Sequence, residues 1–394
     1  MSDGKRCQFR PDFLTKGLSF GIKICPNMSD KPNPFVYART HDVVWMSQNT
    51  NHLPTTPDIE KAIIDCVKRR EYNLYPPFLT GLTELHDAVR VDLGLKDVKC
   101  MLTSGGTEAL YIAMRAFLEK GSEVITSDPS YFIIHHFIRL SGARPTDLPI
   151  YKPPYKYDIE DVKKAINKKT KMILLIDPIN PLGTGYTKAE IKAICDLAVD
   201  HKLIIFDDIT YRDFSEEHHL TTEFAPDNTL IAYSVSKNCG LAGLRVGALV
   251  APQKLMDLAA PFNTNDLSIN ILAQYAALAA LKTKKDWIGK VVGQARKNQK
   301  IIKEAVDKVD GAFLPVYPSQ ANMFVIDISA TGVRTEPVQD KLLFEHGVFV
   351  RAGEYVSKQF GSKFIRLSFT VPEEGAKRFA KAFPKVMDEL KKGK

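Results

Sequence analysis

The run Ser234-Val-Ser-Lys-Asn-Cys-Gly-Leu-Ala-Gly-Leu-Arg-Val-Gly247 sets one lysine, Lys237, among small and hydroxylated residues, with Arg245 eight positions further on. Apolar runs flank it, Thr229 to Tyr233 and Val246 to Val250, so the segment reads as two strands joined by a glycine-rich loop. Such a loop suits a lysine held beside a bound cofactor. A lysine near other cations loses affinity for its proton and works as a base at neutral pH. Arg245 is the natural neighbour, and its planar fork suits phosphate. Ser234 and Ser236 are hydroxyl donors for the same anion or ordinary turn serines. A second anion-binding run, Thr103-Ser-Gly-Gly-Thr-Glu-Ala-Leu110, follows a strand and opens a helix. There Gly105 and Gly106 allow close approach to the N–H groups of the helix start, and Thr107 adds a hydroxyl. Two adjacent carboxylates, Asp207 and Asp208, end the apolar run Leu203 to Phe206. Arg366 lies inside the apolar stretch Phe-Ile-Arg-Leu-Ser-Phe, where a guanidinium is costly unless paired.

The fourteen-residue lysine segment resembles that of class I/II pyridoxal-phosphate (PLP) aminotransferases of fold type I, most closely the histidinol-phosphate aminotransferase subgroup. The resemblance extends over nearly the whole chain from about residue 45 and includes Pro261-Phe-Asn-Thr-Asn-Asp-Leu-Ser268. It implies a mainly parallel, seven-stranded large domain with a smaller α+β domain. It also implies a homodimer with shared active sites that moves amino groups between L-amino acids and 2-oxo acids. Lys237 would form the Schiff base with PLP and carry the proton, with Gly106, Thr107, Ser234, Ser236 and Arg245 around the phosphate. The family's Asp-x-x-Tyr spacing selects Asp208 for the pyridine nitrogen and gives Tyr211 the phenolic oxygen. Asn180, in Asn-Pro-Leu-Gly, would bond that same oxygen, and Tyr131 would stack on the ring. Tyr75 matches the tyrosine that reaches the neighbouring subunit's phosphate. Arg366 would bind the substrate α-carboxylate with Asn322 nearby, and Arg351 matches a second arginine that faces the substrate or stays structural.

One segment departs from the subgroup. Where Asn-Glu-Asn-Pro is expected on the substrate side, the chain has Ser47-Gln-Asn-Thr-Asn-His-Leu53, which introduces His52. That imidazole is either a structural loop residue or an added acid, base or water-binding group. The second reading fits PLP enzymes on the same scaffold that react arginine with dioxygen, so an oxidase or desaturase is the alternative function. A non-catalytic binding module on this scaffold would not need Lys237, Asp208 and Arg366 together.

The elements that must position these groups follow from the apolar pattern. Short runs at Met101 to Thr103, Glu123 to Thr126, Met172 to Ile176, Leu203 to Phe206 and Thr229 to Tyr233 alternate with amphipathic stretches such as Ala109 to Leu118, Asp161 to Ile166 and Lys188 to Val199. That alternation is the signature of an α/β protein with a largely parallel sheet, whose ligands sit beyond the carboxyl ends of the strands. From about residue 290 the pattern changes to a charged helix (Ala295 to Val306), strands near Met323 to Ile328 and Phe364 to Phe369, and a terminal helix interrupted by Pro384. Residues 45–290 are therefore expected to form the large domain, with 1–44 and 291–394 as an N-terminal arm and small domain.

Basic residues outnumber acidic ones by 54 to 46, but they are spread along the chain, which favours a solvated surface over a nucleic-acid site. Six cysteines without Cys-x-x-Cys spacing suggest neither a disulfide framework nor a metal site and point to a reducing cytoplasm. No run approaches the ~20 apolar residues of a membrane span.

Overall fold

The structure, a computed structural model, describes residues 31–76, 81–265 and 267–393. Twelve strands occur in chain order among them: β1 Val44–Trp45, β2 Lys99–Thr103, β3 Glu123–Asp128, β4 Arg144–Pro149, β5 Thr170–Ile176, β6 Ile204–Asp208, β7 Thr229–Ser234, β8 Gly247–Ala251, β9 Met323–Asp327, β10 Val348–Phe349, β11 Arg351–Ala352 and β12 Phe364–Ser368. Seven form the central sheet in the order β2-β8-β7-β6-β5-β3-β4. Every neighbouring pair is parallel except the two that involve β8.

This sheet is buried on both faces because its inner strands carry apolar residues on both sides of the pleat. Leu174 of β5 and Phe206 of β6 pack with Ile112 and Met114 of the helix Gly106–Phe117 on one face. Ile173, Leu175 and Ile205 meet Ile191 and Ile194 of the helix Lys188–Asp200 on the other. The sequence pattern missed β4. It reads Arg-Pro-Thr-Asp-Leu-Pro and lies at the sheet edge, where one side has no partner strand and prolines are tolerated.

A second, antiparallel sheet has the order β11-β12-β9, and β1 pairs with β10 in parallel. Helices Lys284–Val306, Thr335–His346 and Glu373–Lys392 accompany them. The charged helix begins at Lys284, eleven residues before the expected Ala295, because Trp287 and Val291 lead at four-residue steps into Ala295, with Ile302 two turns further along the same buried stripe. It runs unbroken through residue 290. The terminal helix is likewise continuous through Pro384, contrary to the expected interruption. An internal proline costs about 3 kcal/mol, and burial of Phe379, Phe383, Val386 and Met387 on the same helix outweighs it at about 1.5–3 kcal/mol per large apolar side chain. Among the described residues no helix is long and apolar enough to cross a membrane.

Candidate active site

The ends of β2, β6 and β7 converge on a cradle for an anion. After β2 the chain turns at Gly105 with φ +84°, then enters the helix Gly106–Phe117, whose first N–H groups have no partner within the helix. A Cβ on Gly105 would lie 2.4 Å from Arg245 Nη2, so only glycine lets the guanidinium settle there. Arg245 donates to the carbonyls of Ala242 at 2.9 Å and Ser104 at 3.1 Å. Its own φ of +57° is an uncommon, strained conformation for an arginine. Gly247 abuts the same turn: a Cβ there would sit 2.6 Å from Gly105 C. Ser234 and Ser236 are buried beside it, and the Cβ position of Gly106 is 3.6 Å from both Ser234 Cβ and Thr210 Oγ1. Thr107 Oγ1 and Tyr131 Oη are 3.3 Å apart, which ties the helix start to the expected ring-stacking residue.

Lys237 Nζ donates to the carbonyl of Gln48 at 3.0 Å. Burial first, then the charges of Arg366 and Arg245, push its pKa down to about 7 from an ordinary 10.5, against the opposing pull of Asp208. Asp208, at the end of β6, receives both the Thr210 hydroxyl at 2.6 Å and the Thr210 N–H at 3.1 Å on Oδ1. Its Oδ2 takes no hydrogen bond among the described residues, and burial raises the carboxyl above the usual range. Tyr211 Oη accepts from Asn180 Nδ2 and from Asn49 Nδ2, each at 3.2 Å.

Arg366, on β12, donates to Asn180 Oδ1 at 3.3 Å and to the Ser47 carbonyl at 2.5 Å. No carboxylate pairs with it among the described residues, and its Nε has no partner although it is buried. Three more buried polar atoms lack partners here: Asn322 Oδ1, Asn49 Oδ1 and Ser47 Oγ. Such atoms are uncommon in a folded interior, and together with Arg366 Nε they leave polar capacity here for a bound polar group. Arg351 faces Arg366 across the β11–β12 ladder. Its guanidinium lies 4.0 Å from the Tyr355 ring and 5.2 Å from that of Phe35.

Residues 41–383 match the family described as aminotransferase class I and II. The chain belongs to that family. It is 28% identical to an aspartate aminotransferase of Pyrococcus horikoshii over 338 residues, 80% of this chain and 84% of that protein. It is also 28% identical to a histidinol-phosphate aminotransferase of Akkermansia muciniphila over 343 residues, 86% of this chain and 88% of that one. Its fold superposes on Thermus thermophilus aspartate aminotransferase with a TM-score of 0.77, covering 90% and 97% of the two chains at 24% identity.

As a class I and II aminotransferase, the chain is a pyridoxal 5'-phosphate enzyme of fold type I that acts on amino acids and oxo acids. The structure fits that cofactor group by group. It has a glycine cradle with Arg245 beside a helix start for the phosphate, an amine whose lowered pKa frees a substantial share of it from its proton at neutral pH for the aldehyde, and a carboxylate oxygen without a partner among the described residues for the ring nitrogen. The relatives are aminotransferases, and they give the oxidase alternative no support.

Two expected residues stand apart from this convergence. His52 is exposed, and its Nε2 is 2.7 Å from Thr50 Oγ1 rather than on a group of the site. Tyr75 is 77% exposed. Conversely, Gln48, Asn49 and Thr210 touch the core of the site, and the sequence reading gave them no role. Thr210 lies between Asp208 and Tyr211, but a hydroxyl two residues beyond a strand end has no periodic signature. Asn49 adopts φ +53°, a conformation that asparagine tolerates better than most residues. The unusual Gln-Asn-Thr-Asn run was its only trace.

Proposed function

We propose that Lys237, Asp208 and Tyr211 carry the catalytic chemistry, with Gly106, Thr107, Tyr131, Asn180, Ser234, Ser236 and Arg245 holding PLP, and Arg366 and Asn322 holding the substrate. When bound, PLP supplies an aldehyde that takes the amino group and a ring that accepts electron density from the α-carbon. Lys237 would take the substrate's α-proton and return it, for which a pKa near neutrality is the efficient value. Asp208 keeps a proton on the ring nitrogen through its unpartnered oxygen. Tyr211 and Asn180 fix the phenolic oxygen, and Arg366 orients the α-carboxylate through the face that carries its unpartnered Nε. Return of the amino group to a 2-oxo acid completes the exchange.

The observation that carries this reading is the placement of the Lys237 amine, held on the Gln48 carbonyl, among Asp208 and the guanidiniums of Arg245 and Arg366, whose positive charges help lower its proton affinity. Its test is half-reaction stoichiometry: PLP-loaded protein mixed with an amino acid alone should release one equivalent of oxo acid per site, take up no oxygen, and need a second oxo acid to turn over. Oxygen uptake without an acceptor would contradict it.

The preferred substrates, on this reading, carry a second anionic group. Arg351 makes no ion pair among the described residues, is desolvated enough to lower its pKa, and neighbours Arg366 across the ladder. The named activities of the aspartate and histidinol-phosphate relatives are consistent with this. Arg351→Met should reduce kcat/KM for a dicarboxylic amino acid by roughly 10- to 100-fold while sparing a neutral one, since a charged hydrogen bond contributes about 1.5–3 kcal/mol. Equal losses for both would assign Arg351 a structural role.

The active form is further proposed to be a cytoplasmic homodimer in which exposed Tyr75 reaches the partner's phosphate site. Exposed Tyr72 and Leu74 support an interface beside it. The domain division at 45–290 against 1–44 with 291–394 is retained as part of this proposal; residues 1–30 of the arm lie outside the described structure.

A further inference from the structure

A buried cluster of charges that the chemistry does not use reaches the residue next to the lysine. Asp92, near the end of the helix Thr83–Leu93, accepts from Lys284 Nζ at 2.7 Å, from Tyr233 Oη at 2.7 Å and from Arg212. Lys284 also donates to Asp213 Oδ1 at 2.7 Å, and the other oxygen of Asp213 accepts from Asn238 Nδ2. The four charged side chains are only 10–16% exposed. Burial alone would raise the pKa of Asp92, but the Arg212 and Lys284 charges outweigh it and hold the carboxyl below the usual range.

Two carboxylates against two cations make the cluster neutral, yet neutrality does not explain why it is there. A well-packed apolar replacement of a buried ion cluster is often as stable or more so, whereas the ionic form imposes one geometry. Its position in the chain shows what that geometry controls. Arg212 and Asp213 directly follow Tyr211, and Asn238 directly follows Lys237. Asn238 is buried and used at every polar atom of its side chain and carbonyl: its Oδ1 accepts from Cys239 N at 2.8 Å, and its carbonyl accepts from Asn51 Nδ2 at 2.9 Å.

We infer that the Asn238–Asp213 hydrogen bond, backed by Lys284, is a positioning device that fixes the Lys237 amine relative to Tyr211 and Asp208. The inference rests on the reading of Lys237 as the reactive amine. The groups that face this amine are Arg366 from β12, Arg245 from the loop before β8, Asp208 from β6 and the Gln48 carbonyl. Loosening Asn238 lets the amine retreat from both guanidiniums toward water, and its proton affinity then climbs back toward that of an ordinary lysine.

The test measures the rate at which cofactor-free protein captures added PLP as a function of pH, because only the unprotonated amine reacts. Wild type should show a midpoint near 7. Asn238→Leu and Lys284→Met should move it up by about one pH unit or more, a roughly fivefold or greater slowing of capture at neutral pH. Lys284→Arg, which keeps the charge, should restore the wild-type midpoint. Circular dichroism establishes that each variant is folded; should Asn238→Leu fail to fold, the smaller Asn238→Ser carries the same comparison. Folded Asn238 and Lys284→Met variants with the wild-type midpoint would overturn the inference alone. A wild-type midpoint near the ordinary lysine value of 10.5 would overturn the reading of Lys237 itself, and the inference with it.

Discussion

Arg366 donates to Asn180 Oδ1 at 3.3 Å, and Asn180 turns its amide nitrogen to Tyr211 Oη at 3.2 Å. One asparagine thus joins an arginine on the small sheet to a tyrosine that follows the end of β6 in the large one. Arg366→Lys removes the planar fork while keeping the charge, so KM for the amino acid should rise roughly 10- to 100-fold. Affinity for PLP should stay near the wild-type value. Steady-state kinetics and a fluorescence titration with PLP separate the two; equal losses in both would mean that Arg366 supports the fold of the site.

Tyr211→Phe leaves the Asn180 and Asn49 amides without their shared acceptor. An unsatisfied buried donor costs about 1–3 kcal/mol, so PLP should dissociate roughly tenfold more readily from a protein with an unchanged circular dichroism spectrum. Unchanged affinity would remove Tyr211 from the cofactor contacts.

Gly105→Ala tests the cradle. The new methyl group would meet Arg245 at 2.4 Å, and alanine resists the φ of +84°. Strain of about 1–3 kcal/mol should appear as at least a roughly tenfold loss of PLP affinity and a slightly lower melting temperature. Retained affinity would show that Arg245 moves aside without consequence.

Much of this was legible in the chain because the chemistry sits on short, continuous motifs at strand ends. Lys237 and Arg245 share one loop, Asp208 and Tyr211 share another, and Gly105 to Thr107 lie on a single turn. Long-range partners left no such trace. Asn49 reaches Tyr211 across 162 positions, and Lys284 reaches Asp92 across 192, distances at which only folding shows the pair. The edge strand β4 was hidden for a different reason: half-exposed and proline-bearing, it lacks the apolar alternation that betrays an inner strand. At Pro384 the sequence rule was correct for an exposed helix, but tertiary burial overrode it.

Asp207, one residue before Asp208, gives a pH prediction. Burial pushes its pKa up to about 6 from 3.8. A carboxyl whose folded pKa lies above the unfolded one contributes stability that is fully present below 3.8 and lost as pH rises through 6. Asp207→Asn keeps an acceptor for Thr221 and has no charge to bury, so it should gain on wild type across that window, by about 3 kcal/mol above it. Urea denaturation at pH 4, 6 and 8 checks the sign, and a gap that does not widen with pH would show that Asp207 is ionised without penalty.

PLP is proposed to be held by Lys237. Borohydride reduction of the PLP-loaded protein, followed by proteolysis and mass mapping, tests it directly. One pyridoxyl adduct per chain is expected, on the peptide containing Lys237, and it should be absent, together with loss of turnover, in Lys237→Ala. An adduct on another lysine, or turnover retained by Lys237→Ala, would contradict it.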